Sequence, residues 1–245
     1  MSRSPDLVLA AFHWLEYLGL LGGIGSFVVR RLGRMPPRIE WANPPMHIAF
    51  AAALAGGLGL LAFEHIWWAV PRVAAEGAAL VLCLRGNRYV APFAVLAAAL
   101  LPLAGHASDV SPQAAGAEFA DALHVLSAGM WAGGILALAS LQPSDGWRSP
   151  EARMLLERFG RVALIAFGVT ALTGLLRATE QLSDVSDLWT TTYGVVLMLK
   201  SAGVLAMLAA SLAWRRGWPA GGAEAVLATA VVGATALLAA FPLPA

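Results

Sequence analysis

The sequence predicts an all-α fold: a polytopic transmembrane bundle of about eight helices, with both termini on the periplasmic side. Three observations carry this. Hydrophobic residues make up 59% of the chain and charged residues 13%, where a soluble domain carries about a quarter charged residues, so lipid must solvate much of the surface. Apolar runs near the length that crosses a bilayer, about 20 residues, recur along the chain. Arginines concentrate in alternate loops.

The runs define the spans 7–29, 45–63, 66–84, 89–105, 118–140, 159–178, 189–213 and 223–241, and residues 1–245 read as a single integral membrane domain. The first carries His13 and Glu16 and ends in Arg30 and Arg31 rather than a small-residue cleavage site, so it reads as a membrane helix, not a removable leader. The third contains Pro71, Arg72 and Glu76 and is the weakest span. Its retention rests on charge. Loop 30–44 carries Arg30, Arg31, Arg34 and Arg38; the 85–88 turn carries Arg85 and Arg88; loop 141–158 carries Arg148, Arg153 and Arg158; and loop 214–222 carries Arg215 and Arg216. With eight helices these loops share one face, which the positive-inside rule makes cytoplasmic. The opposite loops hold acidic residues such as Asp109, Glu180 and Asp184. Gly19 with Gly23, and Gly129 with Gly133, are small-residue pairs that let helix backbones approach closely.

Topology sorts the histidines. His13 lies about two turns inside the first helix, His65 at the outer junction of the second and third, His106 at the outer end of the fourth, and His124 about two turns into the fifth. Only His47 falls on the cytoplasmic side. Neutral imidazole is the commonest protein ligand for copper, zinc and haem iron. Glu16 stands three residues after His13 and Asp121 three before His124, so each carboxylate shares a face with its histidine and could orient it. Against this, His65 beside Trp67 and Trp68 equally suits an aromatic interfacial belt. Met130, nearly two turns below His124, is the best placed of the thioethers, which suit Cu(I), although methionine in a membrane helix is usually packing.

Other polar groups fall within the spans. Lys200 lies near the middle of the seventh and must pair or face a polar cavity. Arg72 and Glu76, one turn apart, are expected to pair, and Glu76 is at a depth where Lys200 could meet it if their helices touch. Thr170 and Thr173 are expected to bond a backbone carbonyl or a neighbouring helix. The lone Cys83 cannot form an internal disulfide. There is no nucleotide-binding or hydrolase motif, so no enzymatic activity is expected, and a net charge of +1 gives no basis for nucleic-acid binding.

LPLAGHA (101–107), then DALHVLSAGMWAGG (121–134), RFGRVALIAFGVTALTGLLRA (158–178) and LWTTTYGVVLMLK (188–200) follow one another in an order and spacing that resembles the copper resistance protein D (CopD) family. The resemblance covers most of the chain and is strongest from 101 to 245. It implies a bacterial inner-membrane copper protein, moving copper from the periplasm toward the cytoplasm, often beside a small periplasmic copper-binding protein of the CopC type. By resemblance, His13, His106, His124, Trp131 and Lys200 match recurrent positions of that family. Glu16 and the 64–76 region depart from its pattern.

Three readings stay open. The first is a copper-binding transporter with His13, His65, His106, His124 and Met130 as candidate ligands, and Glu16, Asp121, Trp131, Glu76, Lys200 and Thr173 supporting them or lining a path. The second is a b-type haem protein in a membrane redox complex, with His13 and His124 as axial ligands. The third is an accessory subunit without a cofactor, packing against other membrane subunits.

Overall fold

The computed structural model describes residues 6–64, 69–101, 114–181, 184, 186–216 and 221–240. Every regular element among them is helical: α1 (Leu7–Gly33), α2 (Met46–Glu64), α3 (Val70–Leu84), α4 (Val90–Leu100), α5 (Ala114–Ala128), a π-helical turn (Gly129–Gly133), α6 (Gly134–Ala139), α7 (Pro150–Gln181), α8 (Asp187–Thr190), α9 (Thr192–Arg215) and α10 (Gly221–Ala239). Helix was expected at each of the eight spans. Six helices among the described residues are long and apolar enough to cross a membrane, α5 and α6 counting as one through the π turn. At 15 and 11 described residues, α3 and α4 are shorter.

α1 is the central helix. Asp6 caps it, accepting from the amides of Val8 at 2.8 Å and Leu9 at 3.2 Å, and Arg30 and Arg31 sit in its last turn, where the helix dipole favours cations. Close packing on both flanks depends on the missing side chains of glycine. A Cβ on Gly19 would overlap the backbone of Ala53 on α2, and one on Gly25 would overlap the backbone of Gly133 in the π turn. Gly23 instead receives the ring of Phe50. The small-residue pairs of the sequence are thus packing surfaces, as expected.

α3 packs on α2 and α4. The long side chain of Arg72 near its start reaches Glu16 of α1, and Cys83 near its end lines a cavity with Arg30, Asn43 and His47. It therefore covers the depth from Glu16 to the arginine-rich face. His47 is exposed on that face.

Two boundaries differ from expectation. Residues 141–158 read as a loop ahead of a helix at 159, but α7 begins at Pro150. Proline suits a first helical position, the Ser149 hydroxyl accepts from the Ala152 amide at 3.3 Å, and Ala152 and Leu155 are fully buried, so the first turns are held by capping and packing. The seventh predicted span is interrupted at Thr191, whose hydroxyl caps α9 by accepting from Gly194 N at 2.9 Å.

The arginine-rich end is tied by Arg158. Its guanidinium donates to the carbonyls of Leu32, Met35, Pro36 and Pro37 at 3.0–3.2 Å, pinning the chain after α1 to α7. Trp147 contacts both Trp41 and Trp214 edge-on, at 6.0 and 5.2 Å between centroids. At the other end the Asp6 amide donates to Ala240 O at 3.2 Å, so the start of α1 and the end of α10 lie together.

Candidate metal site and buried charges

His124 is the best positioned of the candidate ligands. It projects from α5 onto α7, where its Nδ1 lies 3.0 Å from Thr173 Oγ1. Thr173 is itself buried, and its hydroxyl lies 2.7 Å from the Val169 carbonyl. With that proton on the carbonyl, Thr173 would accept from Nδ1–H and leave the lone pair on Nε2. Such a hydrogen bond selects the tautomer and orientation of a ligating imidazole. Space for the ring comes from Gly174, where a Cβ would approach His124 Cε1 to 3.2 Å. Below it, Thr170 donates to Ser127 Oγ at 2.7 Å, and Ser127 donates to the His124 carbonyl at 3.1 Å. The hydroxyls of α7 thus perform the local role expected of them and also hold the α5 histidine.

His106 and His65 lie outside the described residues. Among the described residues no three His, Cys, Asp or Glu side chains come together as a metal-holding group. Asp121 is half-buried on α5. Met130 packs between the two apolar cores of the bundle, and Trp131 is buried edge-on against Phe167, centroids 4.9 Å apart. Both residues sit in the π turn, which shifts the register of the helix between His124 and the arginine-rich end; turns of this kind often occur at functional sites.

His13 has a different environment. It stacks on Tyr17 with centroids 5.5 Å apart, lies within electrostatic reach of Arg72 on α3, and its Nδ1 is buried without a hydrogen-bond partner. The two imidazoles thus have different neighbours, His13 toward α3 and His124 against α7, and this gives no support to the bis-histidine haem reading.

The expected pairing of Arg72 with Glu76 also changes. Arg72 Nε instead lies 2.9 Å from Glu16 Oε1 on α1, because the close α1–α2 packing brings Glu16 inward to meet α3. The contact is a charge pair rather than an aligned hydrogen bond. Glu76 interacts with Glu16 and Arg72, so its expected encounter with Lys200 is replaced by one with α1. Lys200 lies on α9, which leaves Val195, Leu199 and Leu205 exposed on its outer surface.

One buried carboxylate was not singled out by sequence reasoning. Glu224 in the first turn of α10 accepts a hydrogen bond from Ser211 of α9. Beside it is a cavity of about 100 Å³ lined by Trp131, Phe159, Phe167, Leu208 and Trp214. The available signal was a glutamate three residues beyond Gly221, at the entrance to an otherwise apolar helix.

Comparison with known proteins bears on the half of the bundle that holds His124 in place. Residues 153–238, from α7 through α10, match the family copper resistance protein D. The likeness to that family is carried by this segment. The matched segment supplies Thr173, Gly174, Lys200, Ser211 and Glu224, whereas His13, His124, Met130 and Trp131 come from helices before it. A curated relative, the copper transport protein CutJ of Bacillus subtilis (strain 168), is 37% identical over 107 residues, which is 42% of this chain and 19% of the relative. The chain thus spans about a fifth of that protein's length. No solved structure matches. With six helices long and apolar enough to cross a membrane among its described residues, the chain is a multi-pass helical membrane protein.

Proposed function

We propose that this protein is a member of the CopD family that takes up copper from the periplasmic side of the bacterial inner membrane and passes it inward as cargo. The observation that carries the reading is His124, fixed by the Thr173 hydroxyl of the CopD segment with Nε2 as the electron-pair donor. A neutral imidazole so oriented is a good copper ligand. His106 is the second ligand in this reading, and the donor would be a periplasmic copper-binding protein of the CopC type. His13 is set apart, because it lies toward Arg72 of α3 whereas His124 lies against Thr173 of α7.

The reading includes the full topology. α3 and α4 complete eight crossings, and both ends of the bundle face the periplasm. It is supported by the arginines of alternate loops, by α3 reaching the level of Arg30, and by the hydrogen bond of Asp6 to Ala240, which requires an even number of crossings between them.

The test is copper content of the detergent-purified protein, with copper accumulation by cells producing it. The wild type should bind copper stoichiometrically and raise accumulation, and a His106→Ala, His124→Ala double variant should lose both. Copper retained at full stoichiometry in that folded variant would refute the site. Binding without any change in accumulation would refute the uptake role.

A further inference from the structure

The polar cluster between α1, α2 and α3 has no part in the copper reading. We propose that Glu16 and Glu76 form an intramembrane proton-binding site, a carboxyl–carboxylate pair that holds a single proton beside Arg72.

The argument begins with burial. Glu16 and Glu76 are both 0% exposed and Arg72 is 3% exposed. The two carboxyls converge on one point of α2: a Cβ on Gly57 would lie 2.5 Å from Glu76 Oε2 and 3.1 Å from Glu16 Oε1. Among the described residues, neither oxygen of Glu76 meets a hydrogen-bond donor. A wholly buried carboxylate lacking donors is among the most costly groups a protein can hold, and in practice it neutralises.

Charge counting gives the number of protons. The cluster contains two acidic groups and one guanidinium, committed to Glu16 at 2.9 Å. Among the described residues the surrounding elements bring no second fixed cation. α2 contributes Gly56 and Gly57 at this level, and α4, packed on α3, has no ionisable residue in Val90–Leu100. From α1 come only His13 and Tyr17, stacked on each other one turn along the helix. Fully ionised, the three groups would leave one negative charge within the membrane, and one proton removes it. A protonated Glu76 supplies the missing donor itself, toward Glu16. The ligand class is therefore the proton. His13, with a buried Nδ1 that has no partner, is the next polar group toward the outer end of α1.

Infrared spectroscopy of the full-length protein in detergent tests this at neutral pH, where exposed carboxyls are ionised and silent in the carboxylic-acid carbonyl band. Glu224→Gln serves as the parent, removing the other buried carboxyl among the described residues. In that background the band should correspond to one protonated acid and shift in heavy water. Glu16→Gln and Glu76→Gln should each abolish it, because the remaining carboxylate is then matched one to one by Arg72. Arg72→Gln should increase it to about two acids by the same count. A merely structural ion pair predicts no band in the parent, and that result would overturn the proposal. So would a band surviving unchanged in either glutamine variant. Both are neutral and isosteric, so either one that folds is decisive.

Discussion

Replacing Thr173 by valine should weaken copper binding without removing any ligand. Valine keeps the shape of threonine but not the hydroxyl 3.0 Å from His124 Nδ1. Leaving an imidazole N–H unsatisfied in a buried site costs about 1–3 kcal/mol. Removing the partner that orients a metal-bound histidine typically costs about 10–100-fold in affinity, or about 1.4–2.8 kcal/mol at 1.4 kcal/mol per decade, so two independent routes agree. His124 is only half-buried and water can replace part of the lost bond, which favours the lower half of the range, about tenfold. The assay is competition for copper between the purified protein and a chromophoric chelator of known affinity. Thr173→Ser, which restores the hydroxyl, should recover most of the loss. If Thr173→Val binds within twofold of wild type while His124→Ala loses copper, the hydroxyl does not position the ligand and the tautomer argument fails.

Other outcomes follow from the same structure. Arg158→Ala should expose the 34–42 segment by removing its four carbonyl contacts, giving faster limited proteolysis there with α7 intact; an unchanged cleavage rate would count against the clamp. Gly133→Leu should abolish recovery of monodisperse protein, because any side chain there meets the backbone of Leu21, and overpacking costs about 1–3 kcal/mol even where side chains can yield; the measurement is size-exclusion chromatography, and a wild-type profile would show that the α1 contact is dispensable. Arg88→Cys on a Cys83→Ala background should react with a membrane-impermeant maleimide only from the cytoplasmic side, since the exposed 85–88 turn belongs to the arginine-rich face. Labelling from the periplasm would remove α3 and α4 from the set of crossings.

Much of the bundle was legible because lipid imposes a simple rule: a crossing must be long, apolar and helical, and arginine marks one side. α1, α2 and α10 follow that rule and lie where their runs do. α7 was misjudged at its start because nine residues rich in charge, 150–158, look like a loop to a hydropathy reading, while Ala152 is buried and Leu155 packs into a core with residues distant in sequence. His124 could be found from its depth alone. Its partner could be guessed but not assigned, because threonine in a membrane helix usually bonds its own backbone, and Thr173 does this as well as accepting from the histidine. The Glu16–Arg72 pair was out of reach for a stricter reason. The local pattern offered Arg72 a partner one turn away, and only the glycine-mediated approach of α1 and α2 shows that a residue 56 positions earlier wins. The π turn left no mark in the sequence beyond glycines that would serve equally well for packing.

The hydrogen bond between the Asp6 amide and the Ala240 carbonyl, 3.2 Å long, makes the bundle in effect a closed loop. A short linker could join those two positions without disturbing α1 or α10, and new ends could be opened at the exposed Gly146 turn between α6 and α7. In that permuted chain the CopD segment would be synthesised first, and the half containing Glu16, Arg72, Glu76 and His124 would follow to dock on it. The order in which the two halves leave the ribosome is then separable from the structure they build.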